Sequence, residues 1–226
     1  MQLIQAFSQF VYPDACVHCD AILNQHEELL CLACTNGLDE VFAPHTPEAV
    51  KNLFSSRVRP DEVFTLYRFG QGSVIQSLMH ELKYHGRLEV ATFFGNQLSR
   101  KLKTNMLGQN WSIVPVPMHP SKQRKRGFNQ SEEIAKALAS RSSWKMDLGL
   151  IQRVEKGQTL TKLNRSERAE LTETLYSCKR QLNVPKSVIL LDDVLTTGAT
   201  LAACGQLLRE LGVEELILTS IAVADH

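Results

Sequence analysis

Two carboxylates and three hydroxyls crowd one short stretch, VILLDDVLTTGAT, residues 188–200. Four apolar residues lead to Asp192 and Asp193, then Thr196, Thr197, Gly198, Ala199 and Thr200 run straight into a helical pattern. Hydroxyls and backbone N–H groups at a helix N-terminus make a compact anion site. Gly198 lets the backbone approach a ligand with no side chain in the way. The loop has no lysine, so it is not a Walker A sequence, and one phosphate monoester suits it better than a polyphosphate. The acids just upstream could take the vicinal hydroxyls of a sugar whose terminal phosphate fills the loop. The plainer alternative is a buried strand whose acids only cap the next helix. The TTGAT continuation favours the sugar phosphate.

A second chemistry sits near the N-terminus. Cys16 and Cys19 form one C-x-x-C pair and Cys31 and Cys34 another, with eleven residues between them. Each turn can aim two thiolates at one ion, and two turns complete a tetrahedral shell. In a cytosolic chain this spacing favours zinc over disulfides or redox dithiols. The segment is too short and polar to build a core alone, so bound metal would supply the missing folding free energy. A closed four-thiolate shell has no open position for a substrate, so the expected Zn2+ is structural. His18 is then a bystander. Cys178 is read as a loop thiol and Cys204 as a core residue on a helix face.

Two basic segments complete the set. LKYHGR, residues 82–87, ends a predicted helix and carries Lys83, Tyr84 and Arg87. It reads either as a basic helix end with a glycine cap or as an anion contact. SKQRKRGFNQ, residues 121–130, holds Lys122, Arg124, Lys125 and Arg126, then Gly127 and Phe128. Such a run can attract phosphates, and Phe128 could stack on a base. Otherwise it is a solvated flexible loop.

These residues need elements to position them. The chain has 226 residues, 43% apolar and 22% charged, with a net charge of +1. That is a globular composition, and any nucleic-acid contact must rest on a local patch. The opening MQLIQAFSQFVYP lacks the basic start and cleavage site of a signal peptide, and the expected compartment is the cytosol. Leu3, Phe7, Phe10 and Val11 form a small apolar stripe, expected to pack on the protein rather than on a membrane. Prolines and serines between residues 44 and 60 mark a connector, so the expected division is 1–58 and 59–226. Beyond it, strands VFTLYRF, WSIVPVP, SVILLDDV and EELILTSIAVA alternate with helical patterns such as SVIQSLMHELKY and NQSEEIAKALASR. Alternation of this kind predicts an α/β fold with a mostly parallel sheet flanked by helices, and ligands outside the carboxyl ends of its strands.

VILLDDVLTTGAT resembles the phosphoribosyl-pyrophosphate (PRPP) motif of type I phosphoribosyltransferases. That resemblance implies ribose hydroxyls on Asp192 and Asp193 and the 5′-phosphate on Thr196, Thr197, Gly198, Ala199 and Thr200. LKYHGR resembles the pyrophosphate-binding loop of the same enzymes, which makes Lys83 and Tyr84 candidates for the diphosphate, with Mg2+ accompanying it. The order of double CxxC, LKYHGR, VPVPMHPSKQRKRGFNQ, the Glu167–Arg168 pair and DDVLTTGAT resembles the ComF/GntX family over essentially the whole chain. One departure is Leu171, where the family usually has asparagine. Membership implies a small four-cysteine zinc-finger module before a type I phosphoribosyltransferase-like domain, and a link to natural competence, the uptake of single-stranded DNA.

Three functions stay open on this reading. One is a PRPP-binding competence protein working with the DNA-uptake machinery, cytoplasmic or peripheral at the inner membrane through a membrane-bound uptake complex. Another is a phosphoribosyltransferase salvaging a nucleobase, although no segment is diagnostic of an acceptor. A third is a non-enzymatic module gripping single-stranded DNA or a helicase, with a regulatory sugar-phosphate site. In the first and third, Lys122, Arg124, Lys125, Arg126 and Phe128 are candidate DNA or diphosphate contacts.

Overall fold

The computed structural model describes residues 14–41, 50, 52–54, 57–105, 110–154, 175–179 and 183–224. The apolar stripe at Leu3–Val11, the Glu167–Arg168 pair and Leu171 lie outside the described residues. Five strands form one wholly parallel sheet in the order β1-β7-β6-β2-β3: β1 (Glu62–Phe69), β2 (Ser112–Pro115), β3 (Lys145–Met146), β6 (Ser187–Leu195) and β7 (Glu215–Ala224). This is the α/β class expected from the alternating pattern.

The central strands are apolar on both faces because helices cover both. On one side Ile113, Ile189, Leu191, Ile217 and Ile221 pack with α2 (Val74–His80), α3 (Leu88–Asn105) and α5 (Gln130–Ser140). Their neighbours Val114, Val188, Leu190, Leu216 and Leu218 face the opposite way, onto α6 (Ala199–Glu210) and Phe54. That alternation is the two-residue period of a strand, and each fully buried aliphatic side chain contributes about 1.5–3 kcal/mol. Helices α3 and α5 touch closely at Gly95, where an added Cβ would lie 2.5 Å from the Ala137 Cβ.

The N-terminal segment, with α1 at Leu32–Asn36, docks on this body. Cys16, Leu29, Leu30 and Cys34 join the first core cluster. Val41 N–H donates to Leu66 O at 2.7 Å and Arg68 N–H to Asp39 O at 2.9 Å, so residues 39–41 lie antiparallel along the outer edge of β1. Pairing there covers backbone groups that a bare edge strand would expose.

One open alternative closes and one local expectation changes. The basic run, for which the sequence offers a solvated flexible loop as the plainer alternative, is a helix, α4 (Pro120–Arg126). Pro120 starts it, the His119 side chain caps it by accepting from Ser121 N–H, and Arg124, Lys125 and Arg126 suit the negative end of its dipole. Cys178 is not a loop thiol. It ends β5 (Tyr176–Cys178), which pairs antiparallel with β4 (Ile151–Arg153), and burial of Ile151 and Tyr176 in the second core holds that hairpin down.

Register creates the crevice. Strand β2 makes its last pair at Pro115↔Leu191, while β6 continues beside β7 to Leu195↔Val223. Asp192 and Asp193 therefore stand past the end of β2, where the chain leaves toward α4. This is the carboxyl edge at which open α/β sheets bind ligands.

Candidate functional site

Strand β6 carries both acids, and its turn into α6 makes a small polar cup. The cup has a volume of about 30 Å³ and is lined by Asp192 and by the whole run from Val194 to Leu201. Gly198 caps α6 with φ +71°, a left-handed conformation that other residues resist. A Cβ there would also meet the Phe54 ring at 3.1 Å. Glycine thus serves both the backbone bend and the close support beneath the loop.

The carboxylates are held in place by short local bonds. Asp192 Oδ1 accepts from Asp193 N–H at 2.9 Å and from Ser131 Oγ at 3.2 Å. Asp193 Oδ1 accepts from Val194 N–H at 2.7 Å, while its Oδ2 pairs with Lys83 Nζ at 2.7 Å. Burial pushes Asp192 up, the neighbouring Asp193 charge pushes it further, and the two hydrogen bonds and Lys83 pull back, leaving it at about 7.

Beside the cup lies a cavity of about 240 Å³, in which Asp192, Asp193 and Thr200 face Lys83, Lys122, Arg126 and Arg153. Lys83 is there because the chain after α2 continues as a single π-helical turn, Glu81–His85, that directs the amine at β6. Lys122 and Arg126 share one face of α4, since residues four apart stack along a helix. The structure therefore gathers six sequence candidates around one cavity: Lys83, Lys122, Arg126, Asp192, Asp193 and Thr200. Others stand apart from its lining. Tyr84 is 70% exposed, with the Arg126 guanidinium 5.9 Å from its ring centre. Arg124 and Lys125 are exposed on the rest of α4, and Phe128 packs partly against the first core.

Sequence reasoning missed several contributors. Ser131 and Gln130 enter from the start of α5, and Arg153 and Tyr176 from the β4–β5 hairpin. The Arg153 guanidinium sits 5.6 Å from the Tyr176 ring centre. Burial pushes the Tyr176 phenol up to about 12. Only the stretch after IVPVP could have been found beforehand, from the rule that strand ends face ligands; no local signal marks the hairpin.

The four cysteines converge as their spacing requires. The Sγ atoms of Cys16, Cys19, Cys31 and Cys34 all lie within 4.8 Å of one another, and Cys19 and Cys31 are 3.7 Å apart. Zinc bonds of about 2.3 Å in a tetrahedron put sulfurs about 3.8 Å apart, so this set can hold a metal such as zinc. Burial opposes ionisation of Cys16, but backbone N–H groups of Cys31, Cys19 and His18 overcome it and bring the thiol to about 6. Cys34 is held far above the usual thiol value by burial and then by its three neighbours. Crowded thiols favour and disfavour ionisation at different members of the set, an imbalance that a bound cation would relieve. His18 instead bonds Ser77 Oγ through Nδ1 at 2.9 Å. Cys204 is fully buried on α6, as expected of a core residue.

Fold and site together define an α/β protein with a five-stranded parallel sheet, an acid-led turn at its carboxyl edge and a four-cysteine cluster. The chain is similar to competence proteins of the ComF kind. It is 25% identical to competence protein ComFC of Streptococcus pneumoniae, over 86% of this chain and 88% of that protein. It is 34% identical to competence protein F of Haemophilus influenzae, over 54% of each chain. DNA utilization protein YhgH of Salmonella typhi shares 31% identity over 60% of this chain and 61% of its own length. No family model matches the chain. A solved hypoxanthine phosphoribosyltransferase from Staphylococcus aureus is 18% identical over 58% of this chain and 62% of that one, with a TM-score of 0.35. Scores at that level add nothing to the topology described above. Among the described residues, no helix is long and apolar enough to cross a membrane.

Proposed function

We propose that this protein binds PRPP with Mg2+ at the β6–α6 edge and acts in the handling of incoming DNA, as the names of its relatives indicate for them. The observation that carries this reading is the order of charges along one crevice. A cup sized for one phosphoryl group adjoins two carboxylates, and these face the cations of the π turn and α4. A 5-phosphorylated sugar with a diphosphate on its anomeric carbon has the matching order of anion, hydroxyls and anion. The 5′-phosphate takes the N–H and hydroxyl groups of residues 196–200, the ribose hydroxyls take Asp192 and Asp193, and the diphosphate takes Lys83, Lys122 and Arg126. Magnesium, when bound, neutralises the diphosphate. The four cysteines hold structural zinc.

A transferase reading has a specific observation in its favour. Gln130, 1% exposed, lines the same cavity with an Nε2 that has no partner among the described residues. A buried amide of this kind is poised to donate to an acceptor molecule. Chemistry would then be attack of that acceptor on the anomeric carbon with pyrophosphate leaving, driven by positioning and electrostatics.

The test is ligand-induced stabilisation. PRPP with Mg2+ raises the melting temperature of the wild-type chain, because a ligand bound only to the native state shifts unfolding. The Asp192→Asn/Asp193→Asn variant loses that shift while keeping its metal content. A normal shift in the variant overturns the ribose assignment. Pyrophosphate release, screened against bases and nucleotides, separates the transferase from the binding protein.

A further inference from the structure

The turn that delivers Lys83 also assembles a second set of metal-ligating groups. We propose that His80, Glu81 and His85 form a surface site for a divalent transition metal of the zinc type, separate from the cysteine cluster. The proposal does not depend on the sugar-phosphate reading.

The spacing alone gives no hint of it. At 3.6 residues per turn, side chains five apart on an α-helix diverge by about 140°. Here the chain changes to π-helical geometry over Glu81–His85, and i→i+5 bonding brings the fifth residue back over the first. The His80 and His85 ring centres are consequently 5.3 Å apart. A ligating atom from each of His80, Glu81 and His85 lies within 4.8 Å of the others, with Glu81 Oε1 3.9 Å from His85 Nε2. Zinc bonds of about 2.0–2.2 Å to nitrogen and oxygen bring such atoms to about 3.3–3.5 Å, a change that small rotations of exposed rings supply.

The surroundings orient these groups as an outer shell does. Arg87 Nη1 stands 3.9 Å from Glu81 Oε2, on the oxygen that His85 does not face, and so presents Oε1 to the site. The Tyr84 ring lies 4.8 Å from the His80 ring, and Arg126 lies over Tyr84 in turn. Two imidazoles and one carboxylate favour zinc, nickel or copper(II) over magnesium or calcium. Exposure of both histidines leaves the remaining coordination positions to water or an added ligand, unlike the closed thiolate shell. A π turn is an uncommon device that concentrates at functional sites, and here it is what brings the two rings together.

The test is metal stoichiometry. Full-length reduced protein is brought to equilibrium with Zn2+ alone, and bound zinc is counted for wild type and for His80→Ala/His85→Ala. The expected result is one equivalent fewer in the variant, whatever the cysteines hold. Cys16→Ser/Cys19→Ser retains the His-dependent equivalent, and Co2+ bound there shows no thiolate charge-transfer absorption. Equal zinc content in wild type and the histidine variant overturns the proposal. Both histidines are exposed, so the variant folds, and an unchanged melting temperature in chelator confirms it.

Discussion

The cysteine cluster and the β6–α6 crevice solve the same electrostatic problem in opposite ways. Each packs groups that repel one another once ionised. Four thiols crowd within 4.8 Å, and two carboxylates follow one another at the end of β6. The cysteines leave the repulsion for a cation from solution to settle, with Cys16 brought to about 6 and Cys34 held far above it. The carboxylates settle theirs inside the fold: Lys83 pairs with Asp193, and Asp192, raised to about 7, is free to keep its proton. One set is left to be balanced from outside, as a metal site would be; the other carries its own counter-ion.

The largest effect that tests this contrast is metal removal. Cys16→Ser/Cys34→Ser, or a strong chelator, should abolish hydrogen-exchange protection between residues 16 and 36, because metal binding is folding free energy in such modules. The PRPP response should survive, since no described residue of that segment lines the crevice. Loss of both together would erase the distinction between the two regions.

A smaller effect separates the faces of α4. Lys122→Ala/Arg126→Ala should reduce PRPP affinity by about tenfold or more, as expected for charge-assisted contacts to phosphate. Arg124→Ala/Lys125→Ala should leave it within about twofold and instead flatten the salt dependence of any single-stranded DNA binding. Equal effects from the two pairs would mean that the helix acts only through its total charge.

The smallest effect belongs to Asp192. Its raised value means that the folded chain holds a proton where the unfolded chain has lost it. The stabilisation is complete below the usual carboxylate range and is lost as pH rises through about 7. Asp192→Asn should flatten the fall in melting temperature across that window. An unchanged slope would show that burial does not protonate this acid and that Lys83 alone balances the pair.

Much of this molecule was readable in advance because its signals are local. Strand β6, the acids and the turn into α6 sit within one run, and apolar residues on both faces of a strand mark a covered parallel sheet. The two CxxC pairs likewise declare a shell through spacing. The basic segment was harder. A run of charge resembles solvated loop, and the His119–Pro120 start that makes it helical weighs little beside four cations. The β4–β5 hairpin carried no signal, since its strands are three residues each and owe their place to Ile151 and Tyr176 burying in the second core.

The order of residues was enough to set the fold class, the grouping of the four thiols and the acid-led turn into α6, because each rests on neighbours a few positions apart. Folding in three dimensions settled which cations face those acids, that Arg153, Tyr176 and Gln130 join them, and that a π turn sets His80 beside His85. Those placements depend on where β2 stops against β6 and on how one helix changes pitch. Packing of distant segments fixes such quantities, and no short pattern along the chain encodes them.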